Sequence, residues 1–177
     1  IPHLERELGN TGIRHFNPAG REFRFTAVYA FIKSLLAVLQ HPGFNNADAF
    51  LRLPDSWDWL AAQDDSIEPT QLLAGLDELR TEHLPADLAA AAALDFVKRR
   101  ETENISRRIT ARSALRLLQS AIGALNKNPL SVGLVGFLKT TFAQRQFDNT
   151  NPADAMNIEL LRQLNERLVR LDTVVPT

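Results

Sequence analysis

Cysteine is absent from this chain. That excludes disulfides, thiolate-bound metals and cysteine nucleophiles, and fits a cytoplasmic protein. Glycine is sparse, eight in 177 residues, against many leucines and alanines, which points to helix over sheet. Long apolar runs are missing too. The longest, residues 27–32 and 88–94, fall far short of the roughly 20 residues a membrane span needs, so no membrane partner is expected. The N-terminus lacks the basic start and apolar core of a signal peptide. It opens directly in an amphipathic helix, as an excised fragment of a larger protein would.

Signatures of bond-making chemistry are missing as well. The nearest approach to a phosphate loop runs from Gly133 through Gly136 to Lys139 and Thr140, but Leu138 stands where a Walker A loop needs glycine. Nucleases of the PD-(D/E)xK type need an acid two residues before a lysine. Phe31, Phe96, Leu125 and Phe137 precede Lys33, Lys98, Lys127 and Lys139 in that position. The four histidines, His3, His15, His41 and His83, share no ligand spacing. Asp55, Asp58, Asp64 and Asp65 could gather around Mg²⁺, but acids near helix starts usually serve caps and the helix dipole. No activated serine motif occurs. The expectation is a non-catalytic chain with no cofactor and no metal; an enzyme with an unrecognised site is the least favoured reading.

What is present is a strong 3.6-residue apolar period from Thr26 onward. Thr26 can cap a helix carrying Val28, Phe31, Ile32, Leu35, Leu36 and Leu39, ended by Pro42 and Gly43. Asn45 or Asn46 is expected to cap a short helix that Pro54 stops, and Ser56 to open another with Trp57 and Trp59. Those tryptophans could stack on bases, but among helix-spaced Leu and Phe they read better as core. A helix from Pro69 to His83 buries Leu72, Leu73, Leu76 and Leu79. An alanine-rich helix follows from Ala86 to about Arg100.

Three more helices complete the reading. One runs from about Ser106 to Asn126, with Ile109, Leu115, Leu118, Ile122 and Leu125 inward. The next, from about Ser131 to Ala143, carries Val132, Val135, Leu138 and Phe142, and its two glycines suggest tight packing. The last follows Asn151-Pro152, with Met156, Leu160, Leu164, Leu168 and Leu171 inward. The fold class is all-α: a compact bundle of about eight helices with short loops, and at most a minor two-strand fragment near residues 13–25.

The net charge of −1 conceals segregation. Residues 1–47 carry +2, 48–97 carry −9, 98–145 carry +8 and 146–177 carry −2. Either the acidic and basic segments face one another or are merely solvated faces, or the basic stretch forms a surface for nucleic acid. In the second case Lys98, Arg99, Arg100, Arg107, Arg108, Arg112 and Arg116 are the candidate DNA contacts. Arg108, Arg112 and Arg116 follow one another at four-residue spacing and share a helical face.

From Leu4 to Phe44 the chain reads LERELGNTGIRHFNPAGREFRFTAVYAFIKSLLAVLQHPGF. Leu4, Leu8, Gly12, Ile13, Phe16, Gly20 and the helix Ala27 to Leu39 resemble one junction of superfamily I (UvrD-like) DNA helicases, where the second motor domain passes into the helical 2B accessory domain. The stretch FNPAGR, and DELRTEHLPA from Asp77 to Ala86, are most similar to the pseudo-helicase B subunits of AddAB-type helicase–nucleases. The resemblance implies that residues 1–25 are the edge of a motor domain and 26–177 a helical accessory domain. In that family such a domain hydrolyses no ATP and contacts duplex DNA or a partner subunit during repair and recombination. The nuclease of those subunits, with its iron–sulfur cysteines, lies at the far C-terminus and has no counterpart here. The resemblance assigns no individual contact residue. It implies contact with DNA, with the parent protein's other domains or with a partner subunit; any DNA binding is expected to be weak, sequence-independent and carried by the basic stretch from Lys98 to Arg116. The alternative is a helical protein–protein adaptor unrelated to DNA.

Overall fold

Thr26 opens the described part of the chain as a helix cap, its hydroxyl oxygen accepting from the Tyr29 amide at 3.2 Å. The computed structural model describes residues 26–94, 105–127, 129–142, 145–148 and 150–174. The expected N-terminal helix, the strand fragment near 13–25 and the motor-domain edge lie outside them. Among the described residues there are eight α-helices and no strand, so the chain is all-α.

The first helix, α1 (Ala27–Gln40), buries Val28, Phe31, Ile32, Leu35 and Leu36. Next come α2 (Phe44–Leu51) and α3 (Pro54–Gln63). Here the expected caps differ. Gly43, not an asparagine, precedes α2, while the Asn46 side chain donates back to the Ala37 and His41 carbonyls at 3.3 and 2.8 Å. Asn46 thus finishes α1 instead of starting α2. Pro54 is the first residue of α3, a position where its missing N–H costs nothing. Ser56 lies inside that helix and donates to Phe50 O at 2.6 Å.

Pro69 begins α4 (Pro69–Glu78) in the same way. Its last turn widens into a π-turn, Leu79–His83, closed by the Leu84 amide on Leu79 O at 3.0 Å. Leu84 then sits in the left-handed region with φ 40°, its side chain 75% exposed. Asp87 caps α5 (Leu88–Ala93), accepting from the Ala90 amide at 2.7 Å. This helix starts two residues later than expected and ends earlier, at Ala93, because Leu94 leaves the helical region with ψ 126°; residues 95–100 lie outside the described residues. An isolated antiparallel bridge between Gly43 and Asp87, with Leu88 N donating to Pro42 O at 2.8 Å, straps the start of α5 to the α1–α2 corner.

The long α6 (Ile105–Asn126) packs on α4 and α5. It buries Leu115, Leu118, Ile122 and Leu125 as expected. Ile109 does not follow, standing 43% exposed while Arg108 takes the inward position at 5%. In α7 (Leu130–Phe142) the buried stripe is Leu134, Leu138 and Phe142; Val132, expected inside, is 59% exposed. The last helix, α8 (Pro152–Val174), buries Met156, Leu160, Leu164 and Leu168.

Two contacts organise the packing. Phe31 of α1 is the hub of an aromatic cluster, with ring centroids 5.1 Å from Phe50, 6.1 Å from Phe137 and 5.5 Å from Phe142. Burying a ring of this kind contributes about 3 kcal/mol, so α1, α2 and α7 are held at one point. On the other side Gly75 of α4 touches α6 so closely that a Cβ there would lie 2.3 Å from Arg107 O and 2.7 Å from the Ala111 Cβ. Glycine is required there by backbone proximity.

Candidate functional site

The bond between Glu78 and α6 decides how the basic stretch is oriented. Gly75 brings the two helices together, and three residues later Glu78 points at the same partner. The Arg107 Nε donates to Glu78 Oε2 at 2.8 Å, and the Arg108 guanidinium pairs with Glu78 Oε1 and lies 3.6 Å from Glu82 Oε2. Glu78 and Arg108 are both buried, their side chains 6% and 5% exposed. Two charges taken out of water need such a partner, since an unpaired one would cost several kcal/mol.

The remaining arginines of the stretch roll outward along α6. Arg112 is half-buried. Arg116 is exposed, yet its Nε donates to the Ala92 carbonyl of α5 at 3.2 Å. The face shared by Arg108, Arg112 and Arg116 therefore turns from the α4 contact towards α5. Lys98, Arg99 and Arg100 lie outside the described residues.

Two further charged contacts were not visible in the sequence as sites. Asp48, buried in α2, accepts from Arg52 Nε at 3.0 and 3.1 Å and also from Arg80 of the π-turn. Arg52 in turn reaches Asp77, and these carboxylates hold its guanidinium above the ordinary arginine range. Only the i, i+4 spacing of Asp48 and Arg52 signalled this network. Asp55 in the first turn of α3 pairs with Arg145, ninety residues on. The Arg145 guanidinium lies 5.2 Å from the Phe147 ring centroid and 6.0 Å from that of Phe142. Nothing local announces a partner that distant in sequence.

No family model, curated protein or solved structure matches this chain.

The four aspartates do not gather. Asp55 is committed to Arg145, and Asp58 and Asp65 are exposed on their own. Asp64 accepts from the Ser66 hydroxyl and amide at 2.6 and 3.1 Å, which holds its carboxyl below the ordinary aspartate range. Among the described residues no group of three His, Asp or Glu is placed to hold a metal ion. Trp59 is 3% exposed and packs on Phe50 and Phe137 at 6.0 and 5.4 Å. Trp57 donates its indole N–H to Leu51 O at 2.8 Å. Trp59 belongs to the core, and Trp57 is half-buried against it. Lys139 is exposed on α7, and the Gly133–Thr140 run is regular helix with no phosphate-wrapping loop. Among the described residues no helix is long and apolar enough to cross a membrane.

Proposed function

We propose that this chain is a non-catalytic accessory domain of an inactivated superfamily I helicase, of the kind carried by the B subunits of AddAB-type helicase–nucleases, and that it works by contact with protein neighbours. The family part rests on the resemblance carried by residues 4–44 and 77–86. The all-helical fold from Thr26 onward is what such an insertion requires. Protein contact is favoured over DNA contact by one observation: Arg108 is buried against Glu78 inside the bundle, and Arg107, one-third exposed, is bonded to the same carboxylate. A guanidinium buried against a carboxylate, as that of Arg108 is, has no counterions to release to a phosphate backbone.

The test pairs two substitutions with two readouts. Arg108→Met is expected to lower the thermal midpoint by about 5–10 °C, a loss of roughly 2–3 kcal/mol for a chain of this size. Arg112→Glu with Arg116→Glu is expected to leave the anisotropy of a labelled tailed duplex unchanged at low salt. Binding that falls steeply with salt and disappears in the Arg112→Glu, Arg116→Glu variant would return the stretch to DNA. The non-catalytic part is tested separately: ATP turnover with Mg²⁺, abolished by Lys139→Ala, would overturn it.

A further inference from the structure

The helix α7 is chemically unlike the rest of the surface. It reads LSVGLVGFLKTTF, with no acid and a single base. A helix apolar on all sides is ordinarily buried, yet Val132 stands 59% exposed and Val135 and Phe137 are only half-buried. Val132, Val135, Lys139 and Phe142 succeed one another at three- and four-residue steps, so they form one stripe. Opposite this stripe α8 sets Leu161, Leu164 and Leu168. Between the two helices lies an open apolar groove of about 380 Å³.

Among the described residues, the charged side chains that line this groove are Lys139 and Arg162. Arg162 is held by Glu159 and Glu166 on its own helix. Lys139 makes no ion pair among the described residues and projects from the middle of the stripe. On α7 the lining runs from Val135 to Phe142, about 11 Å of helix and room for about two turns of a second helix, and exposed Val132 continues the stripe one turn further. Apolar anchors at i, i+3 or i+4 and i+7 are how an amphipathic helix is read by such a groove.

We propose that the α7–α8 groove receives an amphipathic helix of a protein partner, leucine-like on its inner face and carrying a carboxylate opposite Lys139. This deepens the reading that the domain acts through protein contact, and rests on it. The probe is a fluorescein-labelled peptide of about 16 residues, a helix long enough to span the groove. It has leucines on one face and flanking glutamates; its twin carries lysine in place of glutamate. Wild type is expected to bind the glutamate peptide at least tenfold more tightly than the lysine peptide. Lys139→Glu should reverse that order, and Val132→Asp should weaken both at least tenfold. Both changes are at exposed positions, and circular dichroism reports whether the fold is kept.

Absence of peptide binding, or a preference indifferent to Lys139, would overturn the proposal. So would a concentration-dependent dimer lost in Val132→Asp, which assigns the groove to a second copy. Single-stranded DNA binding lost in Lys139→Glu would assign it to nucleic acid and likewise overturn it. If the peptides fail while the arginine substitutions behave as expected, only the groove assignment falls.

Discussion

Glu78 lies where the acidic and basic segments of the sequence meet, one carboxylate serving Arg107 and Arg108 together. Its role is clearest from what its removal strands. Glu78→Ala leaves Arg108 buried without its principal counter-charge, and Glu82, 3.6 Å away and half in solvent, replaces it poorly. The expected loss is about 3 kcal/mol by urea denaturation, in the range for breaking one side of a buried pair. Replacing both partners by apolar residues, Glu78→Leu with Arg108→Met, should restore much of it, since neither charge then needs solvation. A double variant as unstable as the sum of the singles would mean that the ions themselves, and not their desolvation, govern this site.

Between elements, glycine position matters more than glycine number. Gly75→Ala gains up to about 1 kcal/mol of helix propensity, but forces a Cβ against backbone at 2.3 Å. The net effect should be destabilising by about 2 kcal/mol, within the usual cost of overpacking. Gly123→Ala in α6 meets nothing within 4 Å and should stabilise by up to about 1 kcal/mol. Opposite shifts of the denaturation midpoint would verify both, and a stabilising Gly75→Ala would refute the close approach. The sequence suggested tight packing at Gly133 and Gly136. A Cβ on Gly133 would meet Leu125 at 3.2 Å, whereas one on Gly136 would meet nothing within 4 Å.

That contrast is general to what could be read in advance. The Thr26 cap, the proline start at Pro69 and the stripes of α1 and α8 are decided by neighbours within a turn, and were legible. Whether Arg108 or Ile109 faces inward depends on Glu78, thirty residues earlier, and no local pattern carries that. The same holds for Asp55 and Arg145. Of the basic stretch, its clustering was legible, but the direction in which it faces was not, because direction is set by α4.

Taken as a whole, the molecule is unevenly tied. Among the described helices α6 packs on α4 and α5 and also touches α1, α2, α3 and α7, while α8 rests mainly on α7 and α1. Regions with few partners open first. Native-state hydrogen exchange is therefore expected to release the α8 amides at lower free energy than those of α6, by at least about 1–2 kcal/mol. Equal protection in the two helices would contradict this ranking.

The π-turn at Leu79–His83 sets a phase for everything after it. A closed α-turn there would use one residue fewer, and removing Thr81 should let the helix take that form. Each helical residue advances the chain by about 100°, so the single extra residue dictates the bearing on which Leu84, Pro85 and Asp87 leave α4. With it, Asp87 arrives opposite Gly43 and Leu88 reaches Pro42. Without it the strap would point elsewhere, and α5 would lose its mooring to the first helical corner. The chain carries one surplus residue as a gear carries an offset tooth: length exchanged for angle.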